Sequence, residues 1–446
     1  MAASIRLICK TYTDTSPAAS HRVSRPATYD PAHYTWYYRT SKRGRNPSTR
    51  NPGGKFDLNL EYVGRDTLSR DIVTAHPRER QVLRQEFIDY ALGYLYYLQN
   101  DAGQPEIGLA DDEFVENGNI PCQVYVREGR RIEGLKNLTE ANFNPFLTGD
   151  GCRPPLLKDS VAVGDFELDS KVCHSHTDPG RPPEGTFFLR GVRAPFQVPY
   201  THVAFSAARM EPVWTAMGHA AGEAAALMLD QGHSAESVPV ATLQERLIAT
   251  GARPSYFSDV PVTCKWFRGI HWAALRGIAP LDPALRFRPD DPIRWAELAE
   301  ITVRTLDIPI SVTAAHFADV PTHHPAFRFV ETLYDLTTRS GQPILPGVTD
   351  PVLDSFVELH RVDARAPWLL NFAPDASVTM AEFGRFCAAL FAVTNTRTTD
   401  DLSAWLERAA TTTPSPLVAR GLACQILATA VQGWEPLEVL TETNPW

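Results

Sequence analysis

Apolar residues along this chain follow three different rhythms. From the start to about residue 200, short strand-like runs are set among Pro and Gly turns, with Ser4–Thr11 and Gln123–Arg127 as the clearest strands. Inside that stretch the period lengthens once. Val82, Leu83, Phe87, Tyr90, Ala91, Tyr94, Leu95 and Leu98 share one helical face, which predicts a helix from Pro77 to Gln99 ended by Asn100-Asp-Ala-Gly103. Its tyrosines Tyr90, Tyr94, Tyr96 and Tyr97 read as core lining rather than as a stacking platform. The third rhythm is a helix of small residues between Pro212 and Gly232, carrying Ala216, Gly218, Ala220, Ala221, Gly222, Ala224, Ala225 and Ala226. Pro212 suits the first helical position and Gly232 the stop. Two interior glycines cost about 1 kcal/mol each relative to alanine. Close approach of another backbone or of a flat ligand would offset that cost; plain packing of small residues is the other reading. The start of such a helix has unpaired N–H groups and partial positive charge, so it can hold an anionic group.

Beyond Tyr256 the chain repeats itself. Phe257-Ser-Asp-Val-Pro261 recurs as Phe317-Ala-Asp-Val-Pro321, and Phe287–Leu298 aligns without a gap on Phe372–Phe383, with Phe, Pro, Asp, Ala and Glu coinciding. Each unit reads as a turn, a helix such as Phe267–Arg276, a loop, and a second helix such as Trp295–Leu306. One unit cannot bury its own apolar faces, so units should stack. A decayed third copy is expected over Asp400–Val431, with Pro416–Cys424 where its second helix begins. The organisation predicted is therefore an α+β region over residues 1–254, then an all-helical module over 255–446 with copies at 255–310, 316–395 and 398–440.

Composition narrows the function. The 446 residues are 43% hydrophobic and 21% charged, ordinary for a folded chain of two or three domains. A formal charge of −9 argues against general nucleic-acid binding, and the basic run Ser41–Arg50 reads as a solvated loop. Seven cysteines without a C-x-x-C predict neither a disulfide framework nor a zinc finger. No apolar run is long enough to span a membrane. Met1–Lys10 lacks the apolar stretch of a secretory signal and reads as a strand entered at its first residue, as if the true beginning had been cut away. Cys173-His174-Ser-His176-Thr-Asp178 has metal-ligand residue types but no second ligand pair, so no metal site is assigned. His323-His324 is read as a surface or capping pair, and Asp111, Asp112, Glu113 and Glu116 as a hydrated acidic loop. No Gly-x-Ser-x-Gly, Walker loop or His-Glu-x-x-His occurs.

Three pieces in order, Thr201-His-Val-Ala-Phe205, Arg209-Met-Glu-Pro-Val213 and Gly218-His-Ala-Ala-Gly222, resemble the closing segment of FAD-dependent oxidoreductases of the two-dinucleotide-binding-domain type. Gly54–Asn59, Tyr125–Ile132, Asp159-Ser-Val-Ala-Val-Gly164 and Leu168–Lys171 extend the resemblance over roughly residues 4 to 250. It implies a mixed-sheet substrate domain with a remnant of the flavin domain, FAD as cofactor, and hydride transfer from a small-molecule substrate to flavin. It also implies that Ser206, Arg209, Met210, Glu211 and Pro212 lie beside the isoalloxazine ring, and that His202 is the catalytic residue near its reacting face. The substrate is not readable. The family's Gly-x-Gly-x-x-Gly turn is missing, and Pro199-Tyr200 runs straight into Thr201 where the family has an apolar strand. A helix dipole of roughly 0.3–1 kcal/mol cannot hold a dinucleotide alone. The expectation is a truncated or remodelled relative that binds FAD poorly unless another chain supplies the dinucleotide fold.

The repeats resemble the S-layer homology module, a three-copy helical unit that can anchor exported proteins to cell-wall polysaccharide. That module's Thr-Arg-Ala-Glu signature stands here as Arg294-Trp-Ala-Glu297 and Thr379-Met-Ala-Glu382, and the third copy has no clear counterpart. This departure favours a structural or weakly binding module over a wall anchor. The alternative function is accordingly a non-catalytic, cell-envelope-associated protein with wall polysaccharide as its partner, placed at the envelope or outside the cell if the true start is missing.

Overall fold

The run Arg6–Thr11 buries every second side chain, Leu7 and Cys9 inward, as strand periodicity requires. The computed structural model describes residues 2–40, 50–59, 68–128, 139, 142, 157–164, 210–278, 284–313, 315–340, 344–345, 370–396, 398–411 and 416–432. These residues fall in two compact units, one formed by residues 2–128 and the other by those from Thr139 on.

The first unit contains β1 (Ala2–Ser4), β2 (Arg6–Thr11), α1 (Ala32–Thr40), β3 (Arg50–Asn51), β4 (Lys55–Asn59), α2 (Leu68–Thr74), α3 (Pro77–Asn100), β5 (Ile107–Leu109) and β6 (Tyr125–Glu128). β1 and β6 pair with each other; the other strands form a sheet in the order β3-β4-β2-β5, and every ladder is antiparallel. α3 lays Phe87, Tyr90, Ala91, Tyr94, Leu95 and Leu98 into the core that holds Leu7, Cys9, Leu58 and Ile107. Tyr90, Tyr94 and Tyr97 are buried there, and Tyr34 of α1 donates its hydroxyl to the Tyr90 carbonyl at 3.2 Å. Gly93 makes room for that ring, since a Cβ at this position would stand 2.2 Å from the Tyr34 oxygen. Val82 leaves the predicted stripe: it is 65% exposed, because the neighbouring Leu83, about 100° round the helix, takes the core-facing position there. The acidic loop is also more than hydrated. Lys55 pairs with Asp112 at 2.8 Å and Glu113 at 2.6 Å, and Lys10 pairs with Asp111.

The second unit continues with α4 (Glu211–Gln231), α5 (Val240–Ala249), α6 (Phe267–Leu275), α7 (Trp295–Thr305), α8 (Phe327–Ser340), α9 (Met380–Val393), α10 (Asp400–Thr411) and α11 (Arg420–Gln432). Both copies of the Phe-x-Asp-Val-Pro turn do the same work. Asp259 accepts from the backbone N–H groups of Phe287 and Arg288 at 2.7 Å each. Asp319 accepts from Phe372 at 2.9 Å and Ala373 at 2.7 Å. Each carboxylate thereby fixes a left-handed residue, Arg288 at φ 55 and Ala373 at φ 60.

The residues just ahead of α7, α9 and α11 join in a closed ring. Ile293 donates to Val418 at 2.8 Å, Val418 to Val378 at 2.9 Å, and Val378 back to Ile293 at 3.0 Å. All three side chains are fully buried. Two residues after each ring member stand Trp295, Met380 and Arg420, so the ring sets Arg420 level with Trp295 and Met380. The Arg420 guanidinium is engaged internally, donating to Glu297 at 3.0 and 3.1 Å and to the carbonyls of Phe287 at 3.3 Å and Arg288 at 2.8 Å. Arg294 instead caps α7 in extended conformation and pairs with Asp375 at 3.2 Å. His324 accepts from the Ala326 N–H at 3.1 Å, a local turn contact. Among the described residues, no helix is long and apolar enough to cross a membrane.

Candidate functional site

α4 begins and ends where its Pro and Gly place it. Pro212 lies in the first turn, and Gly232 closes the helix in the left-handed region at φ 71, its N–H bonded to the Met228 carbonyl. Only a narrow stripe of it is buried: Val213, Ala220 and Leu227, seven residues apart. Ala220 and Leu227 cluster with Leu243 and Leu247 of α5, flanked by Val161 and Ala252. The opposite face is exposed through Trp214, Gly218, Ala221, Gly222, Ala225 and Leu229. A Cβ on Gly218 or Gly222 would meet nothing within 4 Å.

Three of the residues named from the sequence meet at the start of this helix. Met210 is its extended cap, half-buried, and its carbonyl accepts from Val213 and Trp214. Glu211 and Pro212 are exposed beside it. Glu211 puts a carboxylate at the positive end of the helix, where it competes with any incoming anion. His202, Ser206 and Arg209 lie outside the described residues, as does the Cys173–Asp178 segment.

One turn further along, a cavity of about 280 Å³ opens between α4, the extended segment Val161–Gly164 and the turn after α5. Two buried polar side chains hold its walls together. Gln244 of α5 donates its amide to the carbonyls of Lys158 at 2.7 Å and Ser160 at 2.9 Å. The Ser160 hydroxyl donates to the Pro254 carbonyl at 2.8 Å. Val161, Val163 and Ala216 make the walls apolar, while His219, Arg253 and Tyr256 bring polar groups to them. His219 stands 3.3 Å from the Thr250 hydroxyl and 3.7 Å from Glu223. Arg246 takes Asp230 at 2.9 Å and Glu223 at 3.9 Å. That leaves Arg253 without an acidic partner among the described residues.

Behind the turn, His271 of α6 is fully buried with Nδ1 2.7 Å from the Ser255 hydroxyl. Burial first, and the charge of Arg253 second, push this imidazole down to about 3, so it is neutral. Its Nε2 is buried without a hydrogen-bond partner.

Sequence reasoning located the rod and the Asp159–Gly164 piece, but not Gln244 or Arg253. Neither stands in a motif, and only the folded return of α5 brings them to the segment. The described residues do not make a cradle for a dinucleotide. Every ladder between strands is antiparallel, so the strand–turn–helix unit of a parallel sheet is not among them. The cavity is also smaller than the roughly 300–1,000 Å³ of ordinary small-molecule sites.

A family model described as FAD dependent oxidoreductase matches residues 3–247 of the chain. No curated protein matches it significantly.

Proposed function

The chain belongs to the FAD dependent oxidoreductase family, and from that premise we propose that it is the substrate-side and ring-facing part of a flavin oxidoreductase. In such enzymes the flavin accepts a hydride from a substrate carbon, and protein groups orient the two partners. In this reading His202 is the catalytic residue. Ser206, Arg209, Met210, Glu211 and Pro212 border the ring, and α4 offers its N–H groups to the pyrimidine end. The nucleotide half of the cofactor is gripped by a dinucleotide-binding fold outside these 446 residues, so they alone hold FAD weakly. The observation that carries this reading is the exposed small-residue face of α4, with room above Gly218 and Gly222, in a chain whose described strands form only antiparallel ladders.

The repeat lies beyond Leu247, where the family match ends. We read it as structural support rather than as a wall anchor, because Arg420 is held by Glu297 and two carbonyls.

The test is flavin retention. Purified chain is mixed with excess FAD, desalted, and its visible flavin absorbance measured against protein. The expected result is far less than one flavin per chain. Stoichiometric FAD carried through purification would overturn the reading that the dinucleotide fold comes from elsewhere.

A further inference from the structure

The cavity beside α4 has the chemistry of a small-anion site, and nothing assigned so far uses it. Its walls at Val161, Val163 and Ala216 are apolar, and Arg253 is the arginine among the described residues that line it. Arg253 is exposed and lines the chamber, with no carboxylate partner among the described residues, so its guanidinium is available to an apolar body that ends in an anion. Carboxylate fits best, because its two oxygens match the guanidinium fork in parallel, charge-assisted hydrogen bonds. Tyr256 also lines the cavity, and a tyrosine hydroxyl is a donor suited to a carboxylate. Size sets the other limit. At about 280 Å³ the space takes a compact ligand and excludes a dinucleotide. Charge sets a third: Glu223 lies 3.7 Å from His219, so a negative group already stands behind the cavity wall. It disfavours a dianion more than a monoanion.

The scaffold is pre-organised for such a ligand. Gln244 and Ser160, both nearly fully buried, tie the Val161 segment to α5 and to the turn that carries Arg253. The geometry points to a binding site for a short aliphatic monocarboxylate of about four to six carbons, with Arg253 clasping the carboxylate and Ala216 flooring the apolar end. The site needs no flavin, so its failure leaves the preceding reading standing, and flavin retention does not bear on it.

The test titrates the full chain with butanoate by calorimetry, beside butanamide and inorganic phosphate. The expected result is saturable binding of butanoate, with butanamide and phosphate each at least tenfold weaker. Arg253→Gln should weaken butanoate at least tenfold, and Arg253→Lys should weaken it less because a point charge remains. Ala216→Leu should block binding by filling the chamber while leaving the thermal midpoint within a few degrees of the parent. The proposal is overturned if butanoate does not saturate, if butanamide or phosphate binds as well, or if Arg253→Gln binds butanoate as the parent does.

Discussion

His271 carries the clearest pH dependence at the scale of one residue. In the unfolded chain it takes a proton near its ordinary 6.5, whereas in the folded protein burial and Arg253 hold it down to about 3. Between these values the unfolded state binds one more proton than the folded state. Stability from this site is therefore complete above about pH 6.5 and drains away as pH falls toward about 3, at about 1.4 kcal/mol per pH unit. Urea melts at about pH 7 and about pH 5 should differ by about 2 kcal/mol from this residue alone. His271→Gln cannot titrate, so it should lack that part of the difference, whatever it does to stability at neutral pH. An unchanged difference in the variant would show that His271 is protonated in the folded chain. The same scale shows what a motif search misses. Arg420 was unreadable as the counterpart of Trp295 and Met380, because its copy keeps almost no other matching letter. Only the backbone ring at Ile293, Val378 and Val418 sets the alignment.

At the scale of one element, the glycines separate two kinds of helix. Gly269 of α6 touches α11: a Cβ there would stand 2.3 Å from the Gln425 Cα, and the Gly269 N–H is held by the Gln425 side chain at 2.9 Å. Gly269→Ala should destabilise the second unit by about 1–3 kcal/mol through overpacking. Gly218 and Gly222 of α4 have no such neighbour. Alanine at both should stabilise the isolated chain by up to about 2 kcal/mol, from helix propensity alone. Chemical denaturation of the two variants would expose the contrast, and a destabilised Gly218→Ala/Gly222→Ala protein would mean that the α4 face is already occupied. Helices were the most legible part of this chain. Pro77, Pro212 and Gly232 mark their ends by chemistry that acts within one turn, so Pro77–Asn100 and Glu211–Gln231 follow closely from the letters. The cavity was not legible. Its walls come from Val161, Ala216 and Arg253, which are distant in sequence and carry no periodic signal, and it depends on Gln244, an ordinary polar letter until it is buried.

At the scale of the molecule, helices α6 to α11 close on themselves, and we read them as three copies of one repeat joined in a ring rather than a line. α8, the first helix of the second copy, contacts α7 of the first; α10 of the third contacts α9 of the second; and α6 of the first contacts α11 of the third. Each copy's opening helix thus leans on the closing helix of the copy before it, and the last returns to the first. A linear array propagates from neighbour to neighbour, so losing an end copy leaves the others folded with one raw face. Closure changes that outcome. Removing residues after Thr411 takes away α11, the Val418 corner of the ring and the Arg420–Glu297 pair at once. It strips α6 of its partner and leaves the Ile293 N–H without its acceptor in the buried core. The shortened chain should lose the helicity of both remaining copies, not of the third alone, seen as amide exchange throughout α6, α7, α8 and α9. A milder version tests the ring itself. Val418→Pro keeps an apolar side chain but deletes the donor to Val378, and should cost about 1–3 kcal/mol. Persistent protection of α7, α8 and α9 in the shortened chain would show that the ring adds nothing to their stability and that the copies stand as an open array.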